Sequence, residues 1–230
     1  MLATKERITA QRSISTERYI LSTLPTLYVP LWKRDGGSFI SDDGIGHICT
    51  VTGATWGTQG RTLGGINDAV RVPTVASLNF TSGNFSGGVW FYPTSYDASA
   101  QRLIQKGQNN TDGWELYVVS GRLWFLTYQA AATQSSASDP DKVPINNWYK
   151  VDFTRTGASA KIYVNGVDST TTSGTHIDPA SCIRDLWIGN TEGGGRNISG
   201  ILGDALIYNR SPPGVEIMHN YLATKWRYGL

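Results

Sequence analysis

Trp114-Glu-Leu-Tyr-Val-Val-Ser-Gly-Arg-Leu-Trp-Phe-Leu-Thr-Tyr128 consists of two strand-length runs, rich in aromatic and aliphatic residues, on either side of Ser120-Gly121. Aromatic and β-branched side chains suit a pleated surface, and glycine suits a tight reversal. Trp114–Val119 and Leu123–Tyr128 are therefore expected to pair as an antiparallel hairpin. Lys161-Ile-Tyr-Val-Asn-Gly166 repeats the signal, since Asn-Gly is the preferred pair for the positive φ angles of a type I′ turn. Outward from these, strands are expected at Leu27–Leu31, His47–Val51, Ala69–Val72, Leu78–Phe80, Phe85–Phe91, Gln101–Gln105, Trp148–Thr154, Lys161–Val164, Asp185–Ile188 and Gly200–Ile207. Asn109–Gly113, Ala130–Ile145 and Gly193–Arg196 read as surface loops. Short strands at roughly 8–12-residue spacing predict an all-β, two-sheet antiparallel sandwich.

Composition agrees. The 230 residues suit one large β domain, and 26 glycines, 8 tryptophans and 11 tyrosines against 17% charged residues describe many turns between aromatic strands. The net charge of +2 gives no electrostatic footprint for nucleic acid. No apolar run approaches the ~18 residues of a spanning helix, and the first residues lack the apolar core of a signal peptide. Synthesis in the cytoplasm without membrane insertion is the expectation. Cys49 and Cys182 are too few for a disulfide framework and are expected as buried thiols.

Residues 1–24 differ from the rest, being polar and free of Gly and Trp. They read as an arm that assembles or anchors the protein, through homo-oligomer or scaffold contacts, ahead of one domain at residues 25–230. Pro25 marks the boundary, because proline pushes the preceding residue out of the α region. One short helix is expected at about 212–226, with Ser211 as cap, Pro212 in the first position, and Val215, Met218, Leu222 and Trp226 recurring at helical spacing.

Three stretches carry a resemblance. They are Ser77-Leu-Asn-Phe-Thr-Ser-Gly-Asn-Phe-Ser-Gly-Gly-Val-Trp-Phe-Tyr-Pro93, Trp148-Tyr-Lys-Val151 with Lys161–Gly166, and Gly203-Asp-Ala-Leu-Ile-Tyr-Asn-Arg210 with Glu216-Ile217. With them, residues 25–222 resemble the laminin-G-like family of the concanavalin-A-like lectin/glucanase superfamily. The resemblance implies a jelly-roll sandwich. It also implies core positions for Trp90, Trp148 and Trp187, a structural hydrogen-bonding role for Asp204, and rim loops that can supply oxygen ligands to calcium. It leaves function open, because a fold does not fix an activity.

Glycan cleavage needs two carboxylates at a set separation. The glucanase branch carries acidic residues at alternate positions of one strand, whereas Glu115, Asp152 and Asp204 each stand alone. His47, His176 and His219 lie beside no nucleophile motif, and His176, in a turn-rich run, is expected at the surface. No catalytic residue is assigned and no cofactor is required. Calcium wants several carboxylate and carbonyl oxygens, and Asp139 and Asp141 are the candidate ligands. Trp114, Tyr117, Trp124 and Tyr128 are the candidate aromatic platform for a sugar, with Gln108, Asn109 and Asn110 as its rim.

Two functions fit this reading. One is a non-catalytic binding or adhesion module for glycans or another surface polymer. The other is a structural virion protein, a capsid decoration or fibre whose arm mediates assembly without sugar binding.

Overall fold

The computed structural model describes residues 25–230. The arm expected at residues 1–24 lies outside the described residues. Two antiparallel sheets stack as a sandwich. The eight-stranded sheet runs β14 (Val167–Asp168), β13 (Ser159–Val164), β12 (Tyr149–Thr156), β7 (Phe85–Ser95), β17 (Ser199–Tyr208), β5 (Gly60–Leu63) and β4 (Thr55–Gly57), with β1 (Leu27–Pro30) also paired to β17. The nine-stranded sheet runs β15 (Thr170–Ser173), β11 (Ala132–Ser138), β10 (Arg122–Gln129), β9 (Asp112–Val119), β8 (Gln101–Gln108), β16 (Leu186–Ile188), β6 (Ala69–Val72), β3 (Ile48–Thr52) and β2 (Ser38–Ile40). One helix, α1 (Gly214–Thr224), follows β17. Among the described residues no helix is long and apolar enough to cross a membrane.

Strand alternation builds the core. Val89, Phe91, Val151 and Phe153 from one sheet meet Leu116, Val118, Leu123 and Phe125 from the other, all fully buried. Phe125 stacks on Phe153 with centroids 4.3 Å apart, and Phe85 meets both edge-on. Burying such a ring stabilises the fold by about 1.5–3 kcal/mol relative to leaving it in water. The two expected hairpin turns form as read. Ser120 and Gly121 (φ 46° and 76°) link β9 to β10, and Asn165 and Gly166 (φ 52° and 80°) link β13 to β14.

Four expectations are corrected. Leu78–Phe80 is not a strand: Ala76–Leu78 forms a 3-10 turn that buries Leu78. Ala130–Ile145 is not all loop, because residues 132–138 form β11. Its polar sequence hid it, since Ser136 and Ser138 are buried with their hydroxyls bonded, Ser138 Oγ accepting from Leu123 N at 3.0 Å. His176 is buried rather than exposed, between Thr127 Oγ1 and Ser136 Oγ, each at 2.9 Å. The helix forms, but Val215, Leu222 and Trp226 point outward, while Ile217, Thr224 and Tyr228 face the sheet.

Cys49 and Cys182 are free and buried. Burial pushes the Cys49 thiol up to about 12, which leaves it unreactive near neutrality.

Asp204 is the polar centre of the eight-stranded sheet's outer face. Its Oδ1 accepts from Trp32 Nε1 (2.6 Å) and the Tyr28 hydroxyl (3.2 Å), and its Oδ2 from Arg227 Nη1 (2.8 Å) and the Tyr228 hydroxyl (3.3 Å). Trp90 and Trp148 are buried against Tyr228 on this same face, so the C-terminal turn covers them.

Candidate functional site

The outer face of the nine-stranded sheet carries the candidate site. In β9, Leu116 and Val118 point to the core, so Glu115 and Tyr117 point away. In β10, Leu123 and Phe125 point in, so Arg122, Trp124, Leu126 and Tyr128 point away. The two-residue turn at Ser120-Gly121 fixes the register and sets Trp124 opposite Tyr117. Their rings lie nearly parallel, 6.3 Å apart at 9°. On β8, Arg102 is opposite Tyr117, with its guanidinium 5.0 Å from the phenol ring centre. Arg122 sits 4.8 Å from the Trp124 ring centre. The result is a row of four groups, Arg102, Tyr117, Trp124 and Arg122, with both rings half-buried.

Charge is distributed unevenly along the row. Arg102 Nε pairs with Glu115 Oε2 at 3.0 Å, and the same oxygen accepts from Gln105 Nε2 at 2.7 Å. Glu115 is 1% exposed and fully engaged. Arg122 donates from Nε to Ser138 O (2.9 Å) and from Nη2 to Thr172 Oγ1 (3.4 Å), and among the described residues it has no ion-pair partner. Burial, followed by the Glu115 charge, pushes the Tyr117 phenol up to about 12, so it stays a neutral hydrogen-bonding group at physiological pH. The row therefore offers two half-buried aromatic rings and, in Arg122, one cation without a counter-charge among the described residues.

The structure redistributes the residues expected to form the site. Tyr117 and Trp124 come together as expected. Trp114 does not join them. It is 1% exposed and packs in the core against Phe85 and Phe153. Trp114 and Tyr117 are an odd number of positions apart in one strand, which puts them on opposite faces. Tyr128 shares the outer face with Trp124 but is also 1% exposed. Its phenol lies against Glu115, which shares that face.

Gln108, Asn109 and Asn110 are exposed, but they sit at the far end of the hairpin. Tyr117 lies about 17 Å along β9 from Asp112, at about 3.4 Å per residue. Asn109 and Asn110 instead accept from Thr133 Oγ1 (3.2 and 2.5 Å). The segment that does border the row is 138–143, which supplies Ser138 O to Arg122 and Val143 N to Gly121 O.

Asp139 and Asp141 lie in that bordering turn, both exposed, with Asp139 Oδ2 3.9 Å from Lys142 Nζ. Among the described residues no three acidic, histidine or cysteine side chains converge to hold a metal. Sequence reasoning missed Arg102 and Arg122. The signal for Arg122 was present: it precedes Trp124 by two positions and so shares its face. Trp187, expected in the core, is half-buried on this outer face beside Gln105.

The model of the concanavalin A-like lectin/glucanase superfamily that describes its laminin-G-like branch matches residues 63–218. The chain belongs to this family. Solved structures share its architecture. The botulinum neurotoxin serotype D ligand-binding domain, solved in complex with N-acetylneuraminic acid, superposes with a TM-score of 0.70 at 16% identity, over 89% of this chain and 52% of that one. The botulinum neurotoxin serotype G binding domain gives 0.66 at 18%, over 87% and 51%. The binding domain of Paraclostridial Mosquitocidal Protein 1 gives 0.70 at 14%, over 87% and 52%. At such identities the likeness is one of fold, and this laminin-G-like chain spans about half the length of those structures. No curated relative matches the chain.

Proposed function

We propose that the chain is a non-catalytic recognition module that binds glycans, or another surface polymer of similar chemistry, through Arg102, Tyr117, Trp124 and Arg122. The observation that carries this reading is the near-parallel Tyr117–Trp124 pair with a guanidinium beside each ring. Flat π surfaces receive the C–H face of a pyranose, and Arg122 and the Tyr117 hydroxyl supply hydrogen bonds to its oxygens. The family and the binding domains it resembles in fold support a recognition role. The non-catalytic part rests on Glu115. It is buried and ion-paired with Arg102, and no second carboxylate among the described residues shares its hydrogen-bonded cluster, whereas glycoside hydrolysis needs two.

The test is a glycan array probed with the intact protein and with Trp124→Ala and Arg122→Ala. The intact protein is expected to show discrete hits. Each substitution should weaken them by about tenfold or more, as truncation of a central aromatic or arginine anchor does, with the melting temperature nearly unchanged. Full binding by both variants would remove the row as the site.

A further inference from the structure

We infer a second saccharide-binding surface, built from Trp32, Trp56 and Trp226 around Arg227, on the other layer of the sandwich. It takes its ligand class from the recognition reading above and shares no residue with that row.

The cluster is the most open aromatic surface among the described residues. Trp226 is 62% exposed and Trp56 45% exposed. Arg227 holds it together. Its guanidinium lies 3.9 Å from the Trp32 ring centre and 5.3 Å from that of Trp226. It is itself fixed by Asp204 Oδ2 at 2.8 Å, while Gln59 Nε2 donates to Arg227 O at 3.3 Å and ties the β4–β5 turn to the C-terminal turn.

All three indole N–H groups are committed internally. Trp32 Nε1 donates to Asp204 Oδ1 (2.6 Å), Trp56 Nε1 to Trp32 O (2.8 Å) and Trp226 Nε1 to Ala223 O (2.9 Å). The rings are thereby held in set orientations, with Trp56 and Trp226 left largely exposed. Exposed rings fixed in advance lose little conformational freedom when a ligand stacks on them.

That inward turn of the N–H groups selects the ligand. Tryptophans at a lipid interface present an apolar body to the tails and a polar N–H to the wet headgroups. Here the N–H groups face the protein, so the surface suits a ligand that brings C–H faces and supplies its own hydrogen-bonding rim. A neutral pyranoside with equatorial hydroxyls fits that description. Gln59, whose side-chain amide reaches Arg227 O, is a polar side chain that borders the surface.

The experiment follows the indole N–H signals of the intact protein by NMR, assigned with single Trp→Phe variants, during titration with cellohexaose and with laminarihexaose. Movement of the Trp56 and Trp226 signals is expected with at least one of these sugars. Trp56→Ala with Trp226→Ala should lower that affinity at least tenfold, whereas Trp124→Ala should leave it unchanged. Both replaced side chains are exposed, and a retained melting temperature will show that the fold is intact. If only the Trp124 signal moves, or if none moves, the second surface is overturned. Movement with phosphatidylcholine/phosphatidylserine vesicles but with neither sugar would overturn it in favour of a lipid surface. Movement of Trp56 and Trp226 without Trp124 upholds it even where the glycan array rejects the Arg102–Arg122 row.

Discussion

Replacing Asp204 with alanine is expected to cost the domain about 3–5 kcal/mol, the penalty typical of leaving one partner of a buried ion pair uncompensated. The carboxylate is 2% exposed and accepts four side-chain hydrogen bonds, from Tyr28, Trp32, Arg227 and Tyr228. Its removal leaves a guanidinium, itself only 12% exposed along its side chain, without a counter-charge. The neighbourhood cannot readily close over the gap. Gly203 lies so close to the Tyr228 ring that even a Cβ there would meet the phenol oxygen at 2.3 Å. Asp204→Asn, which keeps shape and two acceptor sites but loses the charge, should fall between wild type and alanine. Thermal unfolding at neutral pH is the measurement, with a drop of roughly 10 °C expected for Asp204→Ala in a domain of this size. An alanine variant as stable as wild type would show that the network contributes nothing net. Because Trp32 and Arg227 both hang from this carboxylate, the same variant should also disorder the Trp32–Trp226 surface and leave the Tyr117–Trp124 row intact.

The second large effect is a pH dependence centred on His176. Its imidazole is 2% exposed, bonded at both nitrogens to Thr127 and Ser136, and stacked on Phe125. Burial, followed by the charge of Arg155, holds its pKa down at about 4, against 6.5 for an unperturbed histidine. Between those values the unfolded chain binds the proton more readily than the folded one. Stability is therefore fully present above pH 6.5 and falls by about 1.4 kcal/mol per pH unit below it, to a total near 3 kcal/mol at pH 4. Urea unfolding at pH 7.5 and pH 5 should show about 2 kcal/mol of loss from this group. His176→Asn should lack that increment while the remaining titrations persist, and equal slopes for both proteins would mean that the buried imidazole is protonated without penalty.

Much of the fold was legible because its strongest signals are local. Ser120-Gly121 and Asn165-Gly166 require positive φ, and the runs beside them alternate cleanly. Residues 132–138 were illegible because their burial is of hydroxyls, and a buried serine looks in sequence like a loop serine until its partner is known. The site was half legible. Tyr117 and Trp124 follow from hairpin register, and the same parity argument places Trp114 on the other face. Tyr128 could not be read this way. It has the right parity, but it is 1% exposed, a burial that its own strand does not encode. The open tryptophans were illegible for a related reason. The helical spacing of Val215, Leu222 and Trp226 suggests a core-facing stripe, yet Ile217, Thr224 and Tyr228 make the packed face, because Tyr228 is the ring that lies on Trp90 and Trp148.

The Asp204 cluster also sets an order of events during synthesis. Tyr28 and Asp204 are 176 positions apart, and Arg227 and Tyr228 come later still. A chain growing from its first residue can form the Ser120-Gly121 hairpin early, but β1 has no strand to pair with until β17 has left the ribosome. Until residue 228 follows, the carboxylate lacks its cation, and Trp90 and Trp148 lack their cover. Closure is thus a late step, and a nascent chain stalled before residue 227 would expose a tryptophan-rich sheet face of the kind that chaperones retain.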